Sequence, residues 1–556
     1  MLTLFLSALS LTLVLVADVA DARPGYAGFR GGSAPREAKL RNLNVLAKGT
    51  ARASTTPRQY EEFPEQWFEQ PLDHFGNETS DIFKQRYWVS KRHYTPGAGG
   101  PVIVLDGGET SGEDRLPFLD TGIVEILTRA TGGVGVILEH RYYGEYYDLR
   151  RGKTQPVQNL TTDSLRFLNN EQSAADSAYF MANVKFDGID EDLTAPKTPW
   201  IYYGGSYAGA RSAHMRVLYP ELVYGAIASS GVTHAIIEDW EYMETIRNAA
   251  PKNCSLGLQN SIQTIDQILS EGGSAADDLK TLFGLKGLEH NDDFGNILRN
   301  PVFEWQSKCW NSDCGTDAFD EFCEALTAAP SAELAKYAYG EPRRSVNVTD
   351  NLAVDYVIQN YANYVNETYV ARNCPSNYTV EQCFGSYDDA AYKATDLSQD
   401  WRLWQFQVCT QWGFFNVAPP DPAHPRIISS FITLETESKI CKQAYDPGEH
   451  FTVPAQPNIT AVNALGGYDI AADRLAIIDG EVDPWRPDTP HSLDAKPRDD
   501  TTIRPYKLIP GAVHHYDEYG YTNLTQEPPE IQKIHEEMIA FVKEWLSERN
   551  NTKNDS

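Results

Sequence analysis

Positive charge is scarce in this chain. Its 556 residues carry 48 Lys and Arg against 77 Asp and Glu, a formal net charge of −29. Such a surface repels phosphates, which excludes nucleic acid and anionic membranes as partners. After Val16 no long hydrophobic run recurs, so no transmembrane helix is expected. No Cys-x-x-Cys pair and no His-Glu-x-x-His motif occurs, so zinc is not expected, nor any organic cofactor. No internal repeat occurs. Cysteine is absent before residue 254 and after residue 441. The length exceeds one compact core and implies several domains, or one large α/β domain with an insertion.

Leu2 to Val16 is almost wholly apolar and is followed by small residues ending in Ala20-Asp-Ala22. This reads as a secretory signal peptide over 1–22, although the usual basic start is missing. Asn-x-Ser/Thr sequons stand at Asn77, Asn159, Asn253, Asn347, Asn366, Asn377, Asn458, Asn523, Asn550 and Asn554, a density that suits a glycoprotein. The eight cysteines are even in number, as disulfide pairing in an oxidising compartment requires, and their connectivity stays open. A secreted protein is expected, with a vacuolar or lysosomal lumen as the alternative.

Residues 23–58 are poor in large apolar side chains and read as a disordered leader or propeptide. Phe83 to Val89 alternates like a strand. Pro101 to Leu105, Gly135 to Leu138, Trp200 to Tyr203 and Ala226 to Gly231 are apolar runs suited to strands buried on both faces, with helices over 165–181 and 208–219. From 236 to 455 the chain turns polar-helical and holds every cysteine, which predicts an inserted, disulfide-stapled helical cap domain. Strand signals resume at Leu475 to Ile478 and Tyr506 to Ile509, and Ile531, Ile534, Met538, Phe541 and Trp545 fall at helical spacing. The expected division is therefore core over 59–235 and 456–550, cap between them, and a disordered tail over 551–556.

The chemistry centres on Trp200-Ile-Tyr-Tyr-Gly-Gly-Ser-Tyr-Ala-Gly209. An apolar strand runs into paired glycines, a serine and the small residues that open a helix. That pattern exposes one hydroxyl on a sharp turn, as in the α/β-hydrolases, and makes Ser206 the candidate nucleophile. Ala208 replaces the second glycine of Gly-x-Ser-x-Gly. A serine needs an imidazole base, and the imidazole needs an acid, in the order Ser, Asp, His. Asp483 follows the strand at 475–478, with Asp479 as its rival. His514 follows the strand at 506–509, with His515 as its rival, and adjacent residues there point opposite ways, so only one can face the serine. The developing oxyanion needs donors: the N–H of Tyr207, and one from Gly108 or Glu109 in the glycine loop after the strand at 101–105.

These residues resemble a known family. Gln70-Pro-Leu-Asp-His-Phe75, Phe83-Lys-Gln-Arg-Tyr-Trp88, Gly107-Gly-Glu109, Glu139-His-Arg-Tyr-Tyr-Gly-Glu145, the Ser206 motif, Asp483-Pro-Trp485 and the His514 loop are similar to those of lysosomal prolyl carboxypeptidase, dipeptidyl peptidase II and the fungal acid prolyl endopeptidases. The resemblance spans about residues 66 to 545. It implies an α/β-hydrolase core under a helical cap, cleavage after proline in peptide or protein substrates, and Ser206, Asp483 and His514 as triad. Two departures are Val482 before Asp483 and a fungal-type Gly511-Ala-Val-His loop; endo-, carboxy- and dipeptidyl-peptidase action stay open. A proline ring is apolar and its nitrogen carries no N–H, so aromatic walls suit it; Trp485 and, less directly, Trp412 are candidates. Glu145 and Glu109 are candidates for holding a substrate amine. A monomer or homodimer is expected. The alternatives are an esterase or carboxypeptidase without proline preference, and a non-catalytic binding protein on the same fold.

Overall fold

A computed structural model describes residues 60–76, 78–144, 156–311, 314–329 and 345–554, with backbone alone from 550. The expected signal peptide and leader, the sequon Asn77 and the pocket candidate Glu145 lie outside the described residues.

Eight strands form one mixed sheet: β1 (Gln66–Pro71), β2 (Ile82–Ser90), β3 (Val102–Asp106), β4 (Val134–Leu138), β5 (Trp200–Gly205), β6 (Val223–Ser229), β11 (Leu475–Gly480) and β12 (Tyr506–Ile509). Their spatial order is β1-β2-β4-β3-β5-β6-β11-β12. The pairs β1·β2 and β2·β4 are antiparallel, and the other pairs are parallel. Every residue of β3, β4, β5 and β11 is buried, as strands covered on both faces require. The two faces alternate: Ile103 and Leu105 enter one core with Leu119, Met538 and Trp545, while Val102 and Val104 enter the other with Phe180, Met181 and Met215.

Between β6 and β11 lies the insertion, mostly helical. It holds a parallel pair, β7 (Ile236–Asp239) with β10 (Gly413–Asn416), and an antiparallel pair, β8 (Ser345–Asn347) with β9 (Ala353–Asp355). Its helices share the core of the sheet's first face through Ile246, Leu258, Phe294 and Phe303. All eight cysteines pair there: Cys254–Cys323, Cys309–Cys314, Cys374–Cys383 and Cys409–Cys441. The protein is thus an α/β-hydrolase fold with a disulfide-stapled helical cap. No helix among the described residues is long and apolar enough to cross a membrane.

Two local readings change. The helix expected over 165–181 is two helices, Thr162–Leu165 and Asn170–Asn183, because the Asn169 side chain accepts from Gln172 N (2.9 Å) and starts the second. The closing helix runs Pro529–Asn554, four residues into the expected tail.

Candidate active site

Strand β5 ends at Gly205 and helix Tyr207–Leu218 starts two residues later. Ser206 spans the gap with φ 61° and ψ −126°, in the left-handed half of the map that a side-chain-bearing residue rarely adopts. The turn closes because Gly204 has no side chain: a Cβ there would lie 2.0 Å from Ala208 O. Gly209 packs as closely, a Cβ there meeting Ser229 O at 2.5 Å.

The strands β5, β6, β11 and β12 are consecutive and parallel, so their carboxyl ends lie along one edge of the sheet. Asp483 lies beyond β11 and His514 beyond β12. His514 Nδ1 is 3.0 and 2.9 Å from the two Asp483 oxygens, and Asp483 is fully buried. A carboxylate accepts, so Nδ1 carries the proton and Nε2 presents its lone pair. That Nε2 is buried and has no hydrogen-bond partner. Burial holds the His514 pKa below the ordinary histidine value, with His515 adding repulsion and Asp483 offsetting only part of it.

The rivals are engaged elsewhere. Asp479 Oδ2 lies 2.6 Å from His491 Nδ1. His515 Nδ1 lies 3.0 Å from Glu518 Oε2, close as an ion pair though off-line for a hydrogen bond. Burial opposes charge on His515, yet Glu518 holds its pKa above the ordinary value.

In the glycine loop the N–H of Gly108 donates to Asp106 Oδ1 (3.0 Å). Glu109 is the remaining residue there. Burial raises its carboxyl pKa, against the pull of Arg115 and of its own backbone N–H, and its Oε2 has no hydrogen-bond partner.

Trp485 and Trp412 are both fully buried. Trp485 Nε1 donates to Gln306 Oε1 (2.9 Å), and its ring meets Tyr242 and Phe414 edge-on at 5.0 and 5.3 Å. Trp412 stacks against Phe414 and meets Tyr207 edge-on at 5.2 Å. An aromatic chain Tyr207–Trp412–Phe414–Trp485 therefore links the residue after the serine to the loop of the acid. Phe414 has φ 61°, directly after Gly413 at φ 74°. Strain at a phenylalanine has no compositional trace, so nothing in the sequence pointed to it.

Sequence reasoning also missed how the cap holds the two loops. Trp305 Nε1 donates to Val482 O (2.9 Å), beside Asp483, and Trp310 Nε1 donates to Tyr516 O (3.0 Å), two residues past His514. The Glu139-His-Arg-Tyr-Tyr motif becomes legible as bonding. Glu139 Oε2 accepts from two nitrogens of Arg86, and Arg141 clamps Asp176, which also contacts His74. His140 and Tyr143 belong to a chain that ends on Tyr207 and Gln407.

Fold and constellation together are those of a serine hydrolase on an α/β-hydrolase core. Sequence comparison narrows the class. The profile of the family described as serine carboxypeptidase S28 matches residues 70–538, and the chain belongs to that family of serine peptidases. A probable extracellular serine carboxypeptidase of Arthroderma benhamiae is 40% identical over 87% of this chain and 68% of its own. The serine protease vicPa of Bipolaris victoriae is 26% identical over 86% and 88%. The lysosomal Pro-X carboxypeptidase of Mus musculus is 25% identical over 91% and 94%. Among solved structures, a peroxisomal α/β-hydrolase of Saccharomyces cerevisiae aligns over 86% of this chain and 90% of its own at 11% identity and a TM-score of 0.32, a likeness that carries no argument.

Proposed function

We propose that this chain is an extracellular serine peptidase that cleaves on the carboxyl side of proline and removes residues from the carboxyl end of its substrates. Ser206 attacks the carbonyl of the scissile bond while Nε2 of His514 takes its proton. Asp483 holds the imidazole in the required tautomer and stabilises the imidazolium. The N–H groups of Tyr207 and Glu109 receive the oxyanion, an entering oxygen displacing the Glu109 carboxyl from its own N–H. The leaving amine departs with the proton from His514, and water then releases the acyl group from Ser206 by the same steps. Trp485 and Trp412 wall the site for the proline ring. The sequons at Asn159, Asn253, Asn347, Asn377, Asn458 and Asn523 are exposed and Asn366 is half-buried, so these carry the glycans in this reading.

One observation carries the reading: a buried Asp483–His514 pair whose free nitrogen is bare, at the same sheet edge as a serine in strained backbone. The proline and carboxypeptidase parts rest on the names of the Arthroderma and mouse relatives. The test is a long proline-containing peptide, with products followed by mass spectrometry. Stepwise loss of carboxyl-terminal residues ending at proline is expected. Internal cuts or released amino-terminal dipeptides would replace the carboxypeptidase reading, and equal cleavage after alanine would remove the proline preference. A fluorophosphonate should label Ser206, and Ser206→Ala should be folded and inactive.

A further inference from the structure

Tyr207 is the residue after the candidate nucleophile, and its side chain is held by the cap rather than by its own helix. It is 1% exposed. Its ring meets Trp404 at 5.0 Å and Trp412 at 5.2 Å, both edge-on and both from the insertion. Its hydroxyl takes part in two hydrogen bonds, with Gln407 Nε2 at 2.7 Å and His140 Nε2 at 3.1 Å. Gln407 is fully buried on helix Trp401–Gln407, and its Oε1 lies 2.6 Å from the hydroxyl of Tyr143.

The direction of every proton in this chain follows from one carbonyl. His140 Nδ1 lies 2.8 Å from Arg141 O, which can only accept, so Nδ1 carries the hydrogen. Burial, with Arg211 nearby, lowers the His140 pKa to about 3, so the ring is neutral and Nε2 must accept. The Tyr207 hydroxyl therefore donates to His140 and accepts from the Gln407 amide N–H. Burial pushes the Tyr207 pKa up to about 12, so the hydroxyl keeps the proton it donates. The Gln407 oxygen is then left to accept from Tyr143. No flipped amide satisfies all four groups.

We propose that Gln407, a residue of the cap, is a positioning residue for the oxyanion hole: it anchors the Tyr207 side chain and so fixes the backbone N–H of Tyr207 toward the developing oxyanion. This rests on the reading of Ser206 as nucleophile and of the Tyr207 N–H as donor. A ring clamped between Trp404 and Trp412 and tied down at its hydroxyl cannot rock, and the N–H at its root is aimed before substrate arrives. Preorganised donors of this kind act on the transition state and leave ground-state binding alone.

The experiment compares wild type, Ser206→Ala, Gln407→Leu, Gln407→Glu, Tyr207→Phe and the double variant Gln407→Leu/Tyr207→Phe on one proline-containing peptide. Gln407→Leu and Tyr207→Phe should each lower kcat roughly 10- to 100-fold with KM little changed, the scale of a small misplacement. The double variant should lose no more than the worse single variant, since both break one link. Gln407→Glu supplies a reading that mere packing would not. Protonated, its carboxyl offers one donor and one acceptor, as the amide does. Ionised, it only accepts, draws the Tyr207 proton away from His140 and breaks the chain. Its turnover relative to wild type should rise as pH falls through the titration of the new carboxyl. This variant is nearly isosteric, so it keeps the test open if leucine prevents folding. Unchanged kcat in folded Gln407→Leu, a double variant whose loss is the product of the singles, or a pH-independent ratio for Gln407→Glu would each overturn the proposal. Turnover by Ser206→Ala would instead overturn the nucleophile reading, a result that the Gln407 variants cannot mimic.

Discussion

At the scale of single residues, the site turns on which acid serves which imidazole. Asp479, near the end of β11, and Asp483, just beyond it, stand four residues apart, and each holds a different histidine. Asp483→Asn should cost on the order of 10⁴-fold in kcat, because an amide favours the wrong tautomer of His514. Asp479→Asn should stay within the range of a local packing change when turnover is expressed per folded molecule; the reverse order would reassign the acid. The pH profile gives a second reading. The lowered pKa of His514 keeps it neutral below the ordinary histidine value, so kcat/KM should persist into acid and fall only as pH drops through that lowered value. His515 contributes to the lowering by repulsion. His515→Gln should therefore raise the His514 pKa and move the acid limb of kcat/KM to higher pH, as a rate profile with a short peptide will reveal. The pairing of Asp483 with His514 was legible because strand ends and chain order restrict both to a few positions. The hydrogen bond from Gly108 to Asp106 was not, since it depends on a side chain folding back on its own loop.

Among elements, Trp305, Gln306 and Trp310 link cap and core. Trp305 and Trp310 donate to the loops of the acid and the base, and Gln306 accepts from Trp485. Cys309–Cys314 closes the loop that holds Trp310 over a sequence separation of 5. So short a loop constrains the unfolded chain by only about 2 kcal/mol in the chain-entropy picture. The double variant Cys309→Ser/Cys314→Ser should thus lose turnover out of proportion to its loss of stability, measured as kcat beside a denaturant midpoint. The core strands were legible element by element, because five-residue apolar runs between glycines and prolines leave few alternatives. The cap's two small sheets were not: β7 and β10 are four residues each and pair across more than 170 positions of intervening chain. Short strands without alternation give no local sign of their partners.

For the whole molecule, the disulfides differ in the length of chain they close. Cys254–Cys323 closes a separation of 69 residues, worth about 4 kcal/mol in the same picture. Cys254→Ser/Cys323→Ser should lower the unfolding free energy by up to that amount while surviving molecules retain kcat, which equilibrium unfolding followed by active-site titration will separate. The architecture of core, insertion and core was readable from the shift in composition at about residue 236 and its reversal before Leu475. The cap's buttressing of the site was not readable, since it is made by indole and amide groups that composition cannot distinguish from ordinary packing. The order of parts along the chain also bears on biosynthesis. In the proposed triad the nucleophile leaves the ribosome some three hundred residues ahead of its base, with the entire insertion between them. In that reading a nascent chain lacks its base until translation is nearly complete, and a fragment arrested before residue 514 carries the nucleophile without the imidazole that would activate it.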